Sequence, residues 1–224
     1  MTMRLVTAVA IFLALAPSAC APSMKPGRNS TDAFGPKALS EYTAYSDGGN
    51  PWSVAAGSLR GDGVGLQSVL VRNEAVGQNV WVEAVVDSAD DGGLVVRFSD
   101  KEHYYLLAVR DDEGPFPRGR DNLQIYRRAG PGQAGFTSLW RQDIRWTRGI
   151  RHTVRFEAAG DSLMVYLDRE RIGAIRDVPT LAGSRIGMRH YGGSPSWISR
   201  YRRFRWGPSS VSNRSRSYAV SRVP

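Results

Sequence analysis

The sequence predicts an all-β fold, a two-sheet antiparallel jelly-roll sandwich. Three observations carry this. From about residue 42 to about residue 207, apolar and polar side chains alternate with period two. Turn signals break the alternation at short, nearly regular intervals: Asp90-Asp91-Gly92-Gly93, Glu113-Gly114-Pro115, Ala129-Gly130-Pro131-Gly132, Ala159-Gly160-Asp161 and Tyr191-Gly192-Gly193. No stretch offers an amphipathic helix longer than two turns. Roughly eleven strands or more in this span suit a two-sheet jelly roll better than a seven-stranded immunoglobulin-like domain.

The elements follow in order. Gln67 to Arg72 reads QSVLVR. Asn79 to Asp87 reads NVWVEAVVD, with Val80, Val82, Ala84 and Val86 on one face. In Gly93 to Phe98, Leu94, Val96 and Phe98 share the apolar face, leaving Val95 and Arg97 opposite. In His103 to Arg110, Tyr105, Leu107 and Val109 point in, with Tyr104 and Arg110 outward. In Asn122 to Arg128, Leu123 and Ile125 point in, with Gln124 and Tyr126 outward. Phe136 to Arg141 and Arg151 to Glu157 come next. In Ser162 to Asp168, Leu163, Val165 and Leu167 point in and Tyr166 out. Arg171 to Arg176, Ser184 to His190 and Trp197 to Trp206 complete the set. In the last, alternation puts Ile198, Arg200, Arg202, Phe204 and Trp206 on one face and Trp197, Tyr201, Arg203 and Arg205 on the other.

The flanks read differently. Arg4 precedes an apolar run from Leu5 to Ala16, too short to span a bilayer and of the length of a secretory signal peptide. Ala16-Pro17-Ser18-Ala19-Cys20 resembles the lipobox of bacterial lipoproteins. That resemblance implies cleavage after Ala19, lipidation of Cys20 and an extracytoplasmic, membrane-anchored protein. Ordinary secretion with a free thiol is the alternative. The expected organisation is a signal peptide over 1–19, a lipidated N-terminus and flexible tether over 20–41, one sandwich domain over 42–207, and a disordered Ser/Arg tail over 208–224.

Composition bounds the chemistry. The chain has 224 residues, 42% hydrophobic and 23% charged, which excludes a wholly disordered protein. One cysteine excludes a disulfide framework and a cysteine-rich zinc site. His103, His152 and His190 are too scattered for an HExxH centre. The net charge of +9 comes from an arginine excess. It fits a solvated basic surface or contact with anionic envelope polymer or lipid headgroups. An extracytoplasmic address argues against nucleic acid as partner.

The ordered runs also resemble the concanavalin A-like lectin/glucanase superfamily, above all its laminin G-like and 3-keto-disaccharide-hydrolase-type domains. The likeness is carried by Trp52-Ser53-Val54 with Gly57-Ser58-Leu59-Arg60-Gly61; by Val80-Trp81-Val82-Glu83-Ala84; by Gly93 to Phe98 with Tyr104-Tyr105-Leu106; by Arg151 to Phe156 with Gly160 to Asp168; and by Gly183 to Met188. It implies a sandwich of concanavalin A-like type that carries a lectin, a glycosidase, a lyase or an adhesive module. The superfamily's last strand usually holds an acidic residue near a calcium ion. Here Tyr201-Arg202-Arg203-Phe204 puts Arg202 in that place, so no metal is expected there.

Retaining glycosidases need two carboxylates about 5.5 Å apart, and no Glu-x-Asp-x-x-Glu run occurs. Glu83 and Asp87 share a face but stand about 13 Å apart along a strand. Asp111-Asp112-Glu113 reads as a solvated loop. His152, in phase with Val154 and Phe156, reads as a half-buried structural histidine. The outward residues Arg97, Tyr104, Arg110, Gln124, Tyr126 and Tyr166 supply aromatic faces for sugar C–H surfaces and polar groups for hydroxyls, the makings of a glycan groove. Cross-strand surface pairing would use the same residue types. The expected function is a non-catalytic carbohydrate-binding or adhesive module of the cell envelope, without a cofactor. The alternatives are a saccharide-acting hydrolase and a structural envelope protein.

Overall fold

The computed structural model describes residues 29–63, 67–89, 91–110, 122–144, 146, 150–192 and 198–210, with the side chains of 87–89 left out. The expected leader with Cys20, the expected acidic loop at 111–113 and most of the expected tail, beyond residue 210, lie outside the described residues. Fifteen strands are described: β1 (Ser30–Asp32), β2 (Tyr42–Ser46), β3 (Trp52–Ala55), β4 (Ser58–Asp62), β5 (Gln67–Arg72), β6 (Val80–Ala89), β7 (Gly92–Asp100), β8 (His103–Arg110), β9 (Asn122–Ala129), β10 (Phe136–Asp143), β11 (His152–Ala159), β12 (Ser162–Leu167), β13 (Glu170–Arg176), β14 (Arg185–Tyr191) and β15 (Ile198–Pro208). The described helix is two short 3-10 turns, Ala38–Glu41 and Gln133–Gly135.

Two antiparallel sheets stack. One runs β13-β12-β11-β6-β15-β4-β3, with β1 also paired to β15; the other runs β10-β9-β8-β7-β14-β5-β2. Between them lie Val80, Val82, Ala84 and Val86 of β6, Leu94 and Val96 of β7, Tyr105, Leu107 and Val109 of β8, Leu123 and Ile125 of β9, and Leu163 and Val165 of β12. All are at 0–1% exposure, so the alternation finds the core of these strands.

Alternation fails at bulges. Arg97 has φ +51°, and the β7–β14 register shifts by one residue between Val95 and Phe98. One extra residue reverses the faces beyond it. Phe98 therefore joins Val95 on the outer face of its sheet, not Leu94 and Val96 inside. Gly183 packs against this bulge so closely that a Cβ would overlap the Arg97 carbonyl. In β15, shifts on both sides of Tyr201 turn that ring into the core beside Phe204 and Trp206, against the expected assignment. Its hydroxyl donates to the Arg189 carbonyl at 2.7 Å and accepts from the Gly93 amide at 2.7 Å.

The expected tether over 20–41 is folded over its described part. β1 pairs with Trp206, Arg205 and Phe204 of β15, and Phe34 is 1% exposed. Asp32 accepts hydrogen bonds from the Phe34 amide at 2.7 Å and the Tyr42 hydroxyl at 3.1 Å. A three-residue strand shows no period, which is why the sequence hides it.

Candidate functional site

The six outward residues do not form one groove. Tyr166 is on β12, in the eight-stranded sheet; Tyr104, Arg110, Gln124 and Tyr126 are on the seven-stranded one. Tyr166 faces Arg155, whose guanidinium also lies 4.5 Å from the Trp81 ring and 2.7 Å from Glu157. Nearby Arg205 pairs with Glu83 at 3.1 Å. Much of the positive charge on that face is thus matched locally.

Arg97 is not on an open face at all. It is 2% exposed, and its guanidinium donates to the carbonyls of Gln78 at 2.9 Å and Gly160 at 2.6 Å and to the Thr180 hydroxyl. Burial lowers its pKa from the ordinary arginine value. It ties three loops together at one end of the sandwich.

Tyr104 and Gln124 also prove buried, at 0% and 8% exposure. Gln124 donates to Ser138 at 2.7 Å. Tyr126 is half-buried against Phe136, at 6.0 Å. Arg110 remains at the rim, 3.5 Å from Asp91. Asp91 also takes a 2.8 Å ion pair from Arg189, and both of these side chains are buried.

A different set gathers on the outer face of the seven-stranded sheet. Val69, Val71, Val95, Leu106 and Ala108 form an apolar floor, buried although it faces away from the other sheet. Over it runs an aromatic row: Tyr45 to Phe98 at 4.9 Å, Phe98 to Tyr104 at 5.7 Å, Tyr104 to Phe136 at 6.4 Å. Arg185 lies on Phe98 (5.1 Å) and Tyr45 (5.9 Å); Arg128 lies on Phe136 (4.8 Å) and Tyr104 (5.7 Å). Tyr104 Oη accepts from Gln67 Nε2 at 3.2 Å and Arg128 Nη1 at 3.3 Å.

These contacts show the curvature. Tyr45 is on β2 and Phe98 on β7; Gln67 is on β5 and Tyr104 on β8. Each pair is three strands apart, or about 14 Å in a flat sheet with strands ~4.8 Å apart. Side chains of this length close such a gap when the sheet curls toward them, so this face is the concave one. Where the aromatic row ends, a cavity of about 240 Å³ opens, lined by Tyr45, Ser46, Asp47, Gln67, Val69, Lys101 and Arg128. Sequence reading missed it, because its residues come from β2, β5, β9 and the β7–β8 turn, and only the sheet order brings them together.

The histidines do other work. His152 Nδ1 lies 2.8 Å from Asp168 and its ring 4.4 Å from Trp146, the half-buried structural place that its phase predicts. His103 pairs with Asp100 at 2.9 Å in an exposed turn. His190 is fully buried, 3.0 Å from Ser199 Oγ and edge-on to Trp52. Burial pushes its pKa below the usual value; the Gly63 backbone opposes this, Arg189 adds to it, and Asp62 and Asp91 oppose it. The folded state therefore resists a proton that the unfolded chain accepts near pH 6.5. Stability from this group is complete above about pH 6.5 and is lost as pH falls. Urea midpoints at about pH 8 and about pH 5.5 should diverge more in wild type than in His190→Gln. Equal pH slopes in the two proteins would remove His190 as the source.

No family model matches the sequence, and no curated protein matches it. Solved structures do. A Bacillus subtilis protein of unknown function with a galectin-like fold aligns at TM-score 0.62 and 11% identity, covering 82% of this chain and 97% of that one. The VIP36 exoplasmic/lumenal domain, in its Ca2+/Man3GlcNAc-bound form, aligns at 0.59 and 12%, covering 81% and 89%. The carbohydrate-binding module CBM66 from Bacillus subtilis aligns at 0.56 and 13%, covering 75% and 92%. Identities this low speak for the fold alone: the chain is a two-sheet antiparallel jelly roll of concanavalin A-like type.

Proposed function

We propose that the protein binds carbohydrate without cleaving it, in the concave-face cavity beside Tyr45, Gln67 and Arg128. One observation carries the reading. An aromatic ring and hydrogen-bonding amide, guanidinium and ammonium groups converge on a pocket of about 240 Å³, the pairing of stacking surface and polar donors that a sugar ring requires. The similarity to a carbohydrate-binding module and to a domain solved with a bound oligosaccharide supports it. The hydrolase alternative calls for paired carboxylates. Among the described residues lining this cavity, Asp47 is the one carboxylate. A glycan array probed with residues 29–210, followed by titration calorimetry on the best binder, tests the site. Tyr45→Ala and Gln67→Ala should each weaken binding by about 1–2 kcal/mol, one stacking contact or one hydrogen bond. Unchanged affinity in both variants would take the ligand elsewhere.

We propose also that the domain lies outside the cytoplasm, held by a lipid on Cys20. The lipobox-like run Ala16 to Cys20 supports this. Cys20→Ser should move the protein from the membrane fraction to the soluble one, read by fractionation and immunoblot. A variant that sediments like wild type would rule out that anchor.

A further inference from the structure

We infer that the ligand of the concave cavity is an anionic saccharide, one whose ring carries a carboxylate, sulfate or phosphate group. The inference rests on the carbohydrate-binding reading and narrows it.

Charge pairing on this chain is uneven. Arg72 pairs with Glu41 and Glu74, Arg127 with Asp177, Arg155 with Glu157, Arg189 with Asp91 and Arg205 with Glu83. Around the concave cavity this matching stops. Arg128 gives its Nε to the Gly130 carbonyl at 3.4 Å and its Nη1 to the Tyr104 hydroxyl at 3.3 Å. Arg185 gives Nη1 to the Tyr45 hydroxyl at 3.2 Å and Nη2 to the Ser99 carbonyl at 2.7 Å. Every one of these acceptors is neutral. Neither arginine, nor Lys101 on the cavity wall, has a carboxylate within ion-pair distance among the described residues. Asp47 is the one acid on the wall, against the two cations Lys101 and Arg128, and Arg185 stands behind the wall on the Tyr45 ring.

The two guanidinium groups are also held in place. Each lies against two aromatic rings of the row, so its plane is fixed before a ligand arrives. A stacked guanidinium keeps its charge and offers its free N–H edge to a planar or tetrahedral oxyanion. Lys101 adds a mobile point charge. A neutral sugar would leave this positive field unanswered, whereas an acidic one would answer it while the tyrosine ring meets its C–H face.

The test uses matched pairs of probes on the full chain with Cys20→Ser for solubility: oligogalacturonate against its methyl ester, oligomannuronate against its methyl ester, and dextran sulfate against dextran. The charged member of at least one pair should bind about tenfold or more tightly than its neutral partner at about 50 mM salt. That advantage should shrink severalfold at about 500 mM, as screening requires. The pair that responds separates a carboxylate ligand from a sulfate one. Arg128→Gln and Arg185→Gln should erase the preference. Because both arginines also pack on rings, Lys101→Gln, at an exposed turn, should reduce it without changing the melting temperature. Neutral partners binding as well as charged ones in every pair would overturn the anionic inference and leave carbohydrate binding intact. Absence of binding to every member and to every array glycan would overturn the underlying reading.

Discussion

Leu94→Asp should leave the protein largely unfolded at room temperature. Leu94 sits at 0% exposure between the sheets, hydrogen-bonded in register between Leu107 of β8 and Met188 of β14. A carboxylate there would lose its water and find no partner, a cost above about 4 kcal/mol against a total stability of roughly 5–15. Val165→Asp, equally buried on the other sheet, should behave alike. Strand alternation alone would make Val95→Asp harmless, since Val95 points away from the core. The concave face changes that expectation. Val95 is at 0% exposure beneath the aromatic row, so its aspartate should also be severely destabilising. Thr137→Asp, exposed on edge strand β10, is the control and should stay within about 0.5 kcal/mol. Chemical denaturation of the four variants checks the set. A Val95→Asp protein as stable as wild type would mean that the concave face is open to water.

Asp91→Ala should cost about 3–5 kcal/mol. It would strip Arg189, itself 6% exposed, of its 2.8 Å carboxylate and leave a buried cation unmatched. Burial works most strongly against the Arg189 charge, but Asp91 together with Tyr104 and Tyr201 more than offsets it, and the guanidinium pKa stands above its ordinary value. At roughly 2–4 °C per kcal/mol, the melting temperature should drop by about 6–20 °C. Replacing both partners, Asp91→Ala with Arg189→Met, should recover much of the loss, because the damage comes from the stranded charge. A double variant no better than Asp91→Ala would show that Arg189 is needed for its packing instead.

The sequence makes the fold class legible because burial between two sheets writes itself as period two. Val80, Val82, Ala84 and Val86, or Leu123 and Ile125, can be assigned inward by eye, and the structure agrees. Three things leave no such trace. Bulges reverse the phase within a strand, which puts Phe98 on the concave face, turns Tyr201 into the core and buries Arg97, against plain alternation. Sheet membership is a long-range property: Tyr166 and Tyr126 have similar local contexts but lie on opposite sheets. Concavity is subtler still. It buries Tyr104 and Gln124 on a face that alternation marks as exposed. It also gathers Tyr45, Gln67, Lys101 and Arg128, which are scattered over more than eighty residues of chain. A tyrosine opposite in phase to core residues Tyr42 and Ala44 was the one local hint of Tyr45.

The pairing of β1 with β15 bears on reach. It locks the chain from Ser30 onward into the sandwich, so if Cys20 carries the proposed lipid, ten residues separate the anchor from the first strand. Fully extended, that is at most about 35 Å. A domain on so short a leash cannot sample the space around it as a freely tethered probe does. It would patrol a shell no deeper than its own diameter, and polymer lying close to the anchoring bilayer would be the material within its grasp.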